Sequence, residues 1–182
     1  ELERRCWYLE NDGERWRFQT EPSLNKMIVE EMQHVGTARA KQLLDERLRA
    51  IWQSGVFDVR RFPAEPADIP DDAGKPKLAI VHYDAATARQ EEERPPDLVL
   101  RLYAEKGTVG EPRTFQNNVI FLVCDEAQRG AMVQAARFAE AVQRLASSPE
   151  KQRQLSPEQR RRLRERRDES ELQLRIAIHR AY

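Results

Sequence analysis

The sequence predicts an α/β fold, with a mixed sheet of about four or five strands, flanking helices and a helical C-terminal extension. Residues 119–124 (VIFLVC) are apolar at every position, which is typical of a strand covered on both faces. Residues 37–53 carry one apolar stripe at helical spacing. We therefore expect an α/β domain over 1–146 that opens with a β-hairpin. We expect a charged helical extension over 147–182, truncated at its C-terminal end.

The N-terminal half alternates turn signals with short periodic segments. The elements predicted there are a hairpin around Asn11-Asp12-Gly13, a helix from Ser23 to Gly36, a helix over 37–53, a strand over 56–62 and a strand over 78–83. The intervening residues 63–76 contain four prolines, which indicates a surface connection.

The second half contains the clearest helix caps. The elements predicted there are a helix over 96–106 ended by Gly107, the strand over 119–124, a helix over 127–146 capped by Asp125, and helices entered at Ser148-Pro149 and Ser156-Pro157. Ser156 and Gln159 form a capping-box pattern. Residues 171–182 fit both a strand and a helix, and we favour a helix.

Charge and composition argue against a membrane-spanning protein and against a disulfide-stabilised secreted protein. The chain has 31 basic and 31 acidic side chains, although residues 151–182 hold ten basic and five acidic ones. Its longest apolar run is far below the roughly 18 residues of a membrane span, so we expect no membrane partner. Cys6 and Cys124 are isolated and form no CxxC motif, which favours a reducing, cytoplasmic location.

Two aspartates follow predicted parallel strands and are candidate metal ligands. In VIFLVCDE, residues 119–126, Asp125 would hold magnesium and Glu126 would lie near the attacking water, as in P-loop ATPases. That chemistry needs a GxxxxGK[ST] loop, which the sequence lacks. Asp84 and Asp125 could instead share a cation at the carboxyl edge of the sheet. The ordinary alternative is a buried strand followed by a helix cap.

Arginines supply two candidate nucleic-acid surfaces. The arginines expected to contact phosphates are Arg15 and Arg17 in the hairpin and Arg160, Arg161, Arg164 and Arg167 in the C-terminal helix. Acidic residues interrupt the second group, so the alternative is a solvated helix face with i,i+4 pairs such as Glu158 with Arg162.

Four segments resemble a known family. They are WRFQTEPSLNKMI (16–28), HYDAAT (82–87), PPDLVLRLYAEKG (95–107) and RTFQNNVIFLVCDE (113–126). In these segments the chain resembles the C-terminal half of large, poorly characterised prokaryotic AAA-type ATPases encoded in phage-defence gene clusters. The family pattern has Arg-Asn where this sequence has Asn117-Asn118.

The resemblance implies a domain of unknown function that lies beyond the nucleotide-binding core of its parent ATPase. It implies a non-catalytic accessory domain that couples nucleotide state to a partner, with a DNA-contacting module as the alternative. ATP and magnesium would bind the upstream domain of the same polypeptide, and no cofactor is expected here. Such ATPases form oligomers in which an arginine reaches a neighbouring subunit's nucleotide, and Arg113 is the candidate; the alternative is a surface arginine on a loop.

Overall fold

The computed structural model describes residues 9–11, 16–18, 23–89 and 91–182. These residues form two compact units. The first contains the described residues up to Asp45 together with Val133–Ala177, and the second contains Glu46–Met132 and Ile178–Tyr182. The predicted boundary between residues 146 and 147 is therefore not a boundary between these units.

Six α-helices account for most of the described chain. They are α1 (Leu24–His34), α2 (Thr37–Ile51), α3 (Asp97–Ala104), α4 (Glu126–Ser147), α5 (Pro149–Arg153) and α6 (Pro157–Ala181). The helical C-terminal segment is confirmed, because α6 continues to Ala181. Among the described residues, no helix combines the length and the apolar character that crossing a bilayer would require.

The α/β character is confirmed, but the expected sheet of four or five strands is wrong. The strands are β1 (Leu9–Asn11), β2 (Trp16–Phe18), β3 (Asp58–Arg61), β4 (Lys77–Ile80), β5 (Thr87–Ala88), β6 (Glu105–Lys106), β7 (Glu111–Pro112), β8 (Val119–Leu122) and β9 (Cys124–Asp125). Only three of them join one sheet, in the order β3-β4-β8, and they are all parallel. The others form the two-stranded ladders β1-β2, β5-β9 and β6-β7, so they do not widen the sheet.

Two predicted local motifs are present. Strands β1 and β2 pair antiparallel, with Leu9 opposite Phe18, as the hairpin prediction requires; the turn residues 12–15 lie outside the described part of the chain. Strand β4, helix α3 and strand β8 form a βαβ unit, because β4 and β8 are parallel neighbours.

Apolar side chains from separate helices form the core of the first unit. Six buried residues cluster there: Leu24, Ile28, Val142, Leu145, Leu155 and Leu163. Two nearly buried carboxylates are paired within the same unit. Glu140 accepts hydrogen bonds from Arg39 and Arg144, each at 2.9 Å, and Glu31 pairs with Lys151. Residues 155–163 therefore contribute to a core shared with α1.

Helix α3 covers one face of the three-stranded sheet. Leu102 of α3 and Ile69 are buried against Ala79, and Phe121 of β8 packs against this cluster. On the opposite face Val59 and Ile80 are buried, but Ile120 of β8 is 47% exposed. The expectation that residues 119–124 are covered on both faces therefore fails at Ile120, because β8 is an edge strand of the sheet.

A second β-hairpin replaces the end of a predicted helix. Helix α3 ends at Ala104, and β6 and β7 then pair antiparallel, with Lys106 opposite Glu111. Gly107 and Gly110 in the connecting loop have φ values of 63° and 72°, which only glycine adopts without strain. Gly107 thus serves a hairpin turn and not the helix terminus that we expected.

Candidate functional site

The carboxyl edge of the parallel sheet carries the predicted polar residues. Asp84 follows β4, and Asp125 and Glu126 follow β8, so parallel strand ends bring these segments to one edge. Strand β5 then pairs in parallel with β9, which places Thr87 opposite Cys124. Side chains from three parts of the sequence therefore meet where helix α4 begins.

Arg129 of α4 links two of these carboxylates. Its Nη2 lies 2.6 Å from Asp84 Oδ1, and its Nη1 lies 4.0 Å from Glu126 Oε1. The hydrogen bond with Asp84 raises the pKa of Arg129 above its ordinary value. Thr87 Oγ1 donates a second hydrogen bond to Glu126. We call Asp84, Thr87, Glu126 and Arg129 the edge network.

Asp125 acts as the predicted helix cap. Its Oδ1 accepts a hydrogen bond from the backbone N–H of Ala127 at 2.9 Å, which satisfies a free donor in the first turn of α4. A cavity of about 420 Å³ opens beside it, lined by Arg89, Glu91, Asp125, Glu126, Ala127 and Gln128. The described residues contain no group of three or more His, Cys, Asp or Glu side chains that could hold a metal ion. Magnesium binding by Asp84 and Asp125 stays a prediction, and it would require Asp84 to exchange Arg129 for the ion.

An aromatic stack lies at the same carboxyl edge and has no signal in the sequence. Phe62, directly after β3, has a φ of 61°, a left-handed value that bulky residues rarely adopt. Its ring meets the His82 ring edge-on, with centroids 4.8 Å apart, and His82 stacks on Tyr83 at 4.4 Å. The Arg49 guanidinium lies 5.5 Å from the centroid of the Phe62 ring. The backbone N–H of Asp84 donates to His82 Nδ1 at 3.1 Å, which fixes the imidazole plane.

Cys124 is buried in β9, as the sequence indicates for a small apolar side chain. Burial, with a smaller contribution from Asp125, raises the pKa of its thiol to about 11. A thiol with this pKa is almost entirely protonated near neutral pH and is a poor nucleophile. Cys6 lies outside the described residues.

Arg113 lies in the interior of its unit, with 4% of its surface exposed. Its guanidinium donates to the carbonyls of Leu102 at 3.2 Å, Ile69 at 3.1 Å, Pro70 at 3.3 Å and Pro66 at 3.4 Å. The alternative of a surface arginine is therefore wrong. A contact with a neighbouring subunit's nucleotide stays a prediction, and it would require the guanidinium to leave these carbonyls.

Several arginines of α6 pair with acidic side chains on the same helix. Arg161 Nη2 lies 2.7 Å and Arg162 Nε 3.2 Å from Glu158 Oε1, as the solvated-face alternative predicts. Arg160 donates to the Leu155 carbonyl at 3.1 Å.

Arg164 and Arg167 are the other predicted phosphate contacts on α6. Arg167 contacts Asp168 at 3.2 Å. Arg164 is exposed. Arg15 lies outside the described residues, and for Arg17 only the strand is described. Binding of nucleic acid by these arginines stays a prediction.

Comparisons with known proteins identify no relative. No family profile matches the chain, and the searches of curated proteins and of solved structures find no significant match. The resemblance to AAA-type ATPases therefore stays a prediction.

Proposed function

We propose that this chain is a non-catalytic accessory domain of a larger AAA-type ATPase, which couples the nucleotide state of that ATPase to a partner. The parent ATPase is inferred from the four resembling segments. The edge network carries the proposal for this chain, because its polar groups bind one another at the sheet edge where α/β enzymes place reactive groups.

The contacts of the Asp-Glu pair support a structural use. In a P-loop ATPase these carboxylates face the metal ion and the attacking water. Here Asp125 accepts the Ala127 N–H, and Glu126 accepts the Thr87 hydroxyl. Both carboxylates join strand ends to the first turn of α4. A movement of the loop after β4 could therefore be transmitted to α4 through these contacts.

Arg129 is the residue that makes this connection testable. It joins the loop after β4 to α4 over a separation of 45 residues in sequence. Removing it cuts the side-chain link between Asp84 and α4 but leaves the Thr87–Glu126 hydrogen bond and the backbone ladders β4-β8 and β5-β9 in place. We expect Arg129→Ala to uncouple the loop from the helix and not to unfold the unit.

Hydrogen–deuterium exchange tests the proposal in the longer polypeptide. Residues 82–89 and 123–130 should exchange differently in the ATP and ADP states, and Arg129→Ala should abolish that difference while hydrolysis continues. The matched control is Arg94→Ala, which removes an exposed pair with Asp97 at 2.9 Å. ATP hydrolysis by residues 1–182 alone, or identical exchange in both nucleotide states of the parent, would contradict the proposal.

DNA contact is the second candidate function, and two arginines on α6 favour it. Arg164 and Arg175 are exposed, and neither has an ion-pair partner among the described residues. Eleven residues are about three helical turns, so both lie on one face of α6.

Fluorescence anisotropy tests this second function. The double change Arg164→Glu with Arg175→Glu should weaken the binding of duplex DNA and reduce the dependence of that binding on salt. Arg161→Gln is the control, since Arg161 is paired with Glu158. Salt-independent binding by the unmodified chain would exclude phosphate contact.

A further inference from the structure

A polar cleft with one aromatic wall lies at the amino edge of the sheet, opposite the edge network. Its volume is about 480 Å³, and it is lined by Ala73, Thr114, Phe115, Gln116, Asn117 and Asn118. Ala73 precedes β4 and the other residues precede β8, so two neighbouring strand entries form its walls. We call it the amide cleft.

Asp71 holds one wall of the amide cleft in place. Its carboxylate accepts the backbone N–H groups of Thr114 at 2.9 Å and Phe115 at 2.8 Å, and Lys106 Nζ lies 3.2 Å from it. The Asp71 side chain is only 6% exposed. Burial acts to raise the pKa of Asp71, but these hydrogen bonds outweigh burial and hold the pKa well below its usual range. Asp71 therefore stays ionised and keeps the backbone of Phe115 fixed.

Asn118 ties the same wall to the loop that carries Ala73. Its side-chain amide donates to the carbonyls of Asp72 at 3.0 Å and Gly74 at 3.2 Å. Lys77, which is 2% exposed, pairs with the Asp72 carboxylate. The two walls are thus joined before any ligand arrives, and a preformed site loses less entropy on binding.

Three side chains in the amide cleft remain available to a ligand. The Phe115 ring is 40% exposed. The side-chain amides of Gln116 and Asn117 make no hydrogen bond to the described residues. Each amide offers a donor beside an acceptor, so each can pair with two adjacent polar atoms of one flat ring.

We propose that the amide cleft binds an unstacked nucleobase of single-stranded nucleic acid, and adenine best. Phe115 supplies the stacking surface, as aromatic side chains do for splayed-out bases. Asn and Gln amides match the adjacent donor and acceptor of adenine. The inference is independent of the proposed accessory function and uses none of the α6 arginines.

The charges beside the cleft are balanced and do not oppose a strand whose phosphates pass nearby. The two aspartates beside the cleft are each paired with a lysine, Asp71 with Lys106 and Asp72 with Lys77. Neither carboxylate therefore presents an uncompensated negative charge to a phosphate. Carbohydrate sites also use aromatic rings, so oligosaccharides are the competing ligand in the test.

The test compares two fluorescent eight-nucleotide strands of equal charge, oligo-dA and an abasic strand. Because one base–aromatic stack contributes about 1–3 kcal/mol, Phe115→Ala should weaken oligo-dA binding about 5- to 150-fold and leave abasic binding unchanged. Gln116→Ala and Asn117→Ala should reduce the preference for oligo-dA over oligo-dT. Tyr103→Ala is the matched control, since Tyr103 is 39% exposed on α3 and lies outside the cleft lining.

Thermal unfolding followed by circular dichroism checks that each variant is folded. Phe115→Ala should retain the wild-type melting temperature within a few degrees, because Asp71 holds the backbone and not the ring of residue 115. Equal binding of oligo-dA and the abasic strand would overturn the proposal. Displacement of oligo-dA by maltoheptaose, or equal loss of binding in Tyr103→Ala and Phe115→Ala, would also overturn it.

Discussion

Replacing Arg113 with methionine should destabilise the unit that contains it more than any single change at the surface. Methionine keeps the apolar stem of arginine but removes the guanidinium and with it every donor. Four carbonyls then lose their hydrogen bonds to the guanidinium, the shortest at 3.1 and 3.2 Å. Burial already lowers the pKa of Arg113, with the nearby Asp71 charge acting in the opposite direction, so the folded protein bears the cost of a desolvated cation.

The magnitude follows from the two shortest contacts. A buried carbonyl left without its donor costs about 1–3 kcal/mol, whereas removing the buried charge returns part of this cost. We count the contacts at 3.3 and 3.4 Å as weak. The expected loss in the free energy of unfolding is therefore about 3 kcal/mol, or roughly 6–12 °C in melting temperature for a chain of this size.

Urea unfolding followed by circular dichroism measures this loss. The matched control is Arg101→Met, because Arg101 also donates to a carbonyl, that of Ala64 at 2.8 Å, but at the surface. The control should lose no more than about 1 kcal/mol. If Arg113→Met were as stable as Arg101→Met, the buried guanidinium would not stabilise the fold. The predicted contact of Arg113 with a neighbouring subunit's nucleotide would then be favoured.

Three further predictions follow from single contacts. Asp71→Asn should make stability less sensitive to acid. The pKa of Asp71 is lowered on folding, so the Asp71 carboxylate stabilises the fold above its unfolded pKa of about 4, and this stabilisation is lost as pH falls from there toward the lower folded pKa. Urea midpoints at pH 7 and pH 3 measure this loss, and equal acid sensitivity of the variant and the unmodified protein would contradict it. Cys124, with its pKa raised to about 11, should resist iodoacetamide at pH 8 until the chain unfolds, and mass spectrometry of labelled peptides would reveal early alkylation as the contrary result. Ser156→Ala should cost about 1 kcal/mol in urea unfolding, because Ser156 Oγ accepts the Gln159 N–H at 3.3 Å, and an unchanged midpoint would show that the cap is dispensable.

Features encoded within a few residues were predictable from the sequence. The Ser156–Gln159 capping box is present in both directions, and Asp125 caps α4 as expected. The pair between Glu158 and Arg162 is also the one that helical spacing predicts. In each case the partners lie within four residues, so local geometry alone brings them together.

Features that depend on distant segments were not predictable. The number of strands in the main sheet depends on which strands pair, and an apolar run such as 119–122 fits both a central and an edge strand. The pair between Asp84 and Arg129 spans 45 residues, and no spacing rule connects them. The burial of Arg113 likewise depends on carbonyls from the 66–70 segment folding back over it.

The backbone directly after β3 depends on side-chain contacts of Phe62 for its conformation. A left-handed backbone costs a bulky residue roughly 1–2 kcal/mol, and glycine would adopt it freely. The peptide N–H of Phe62 nevertheless donates to the Ile80 carbonyl at 2.8 Å, while its ring meets His82 and the Arg49 guanidinium. The strained backbone at Phe62 is thus held by one main-chain hydrogen bond and by side-chain contacts, so removing the imidazole at position 82 should increase hydrogen exchange of the main chain twenty residues earlier.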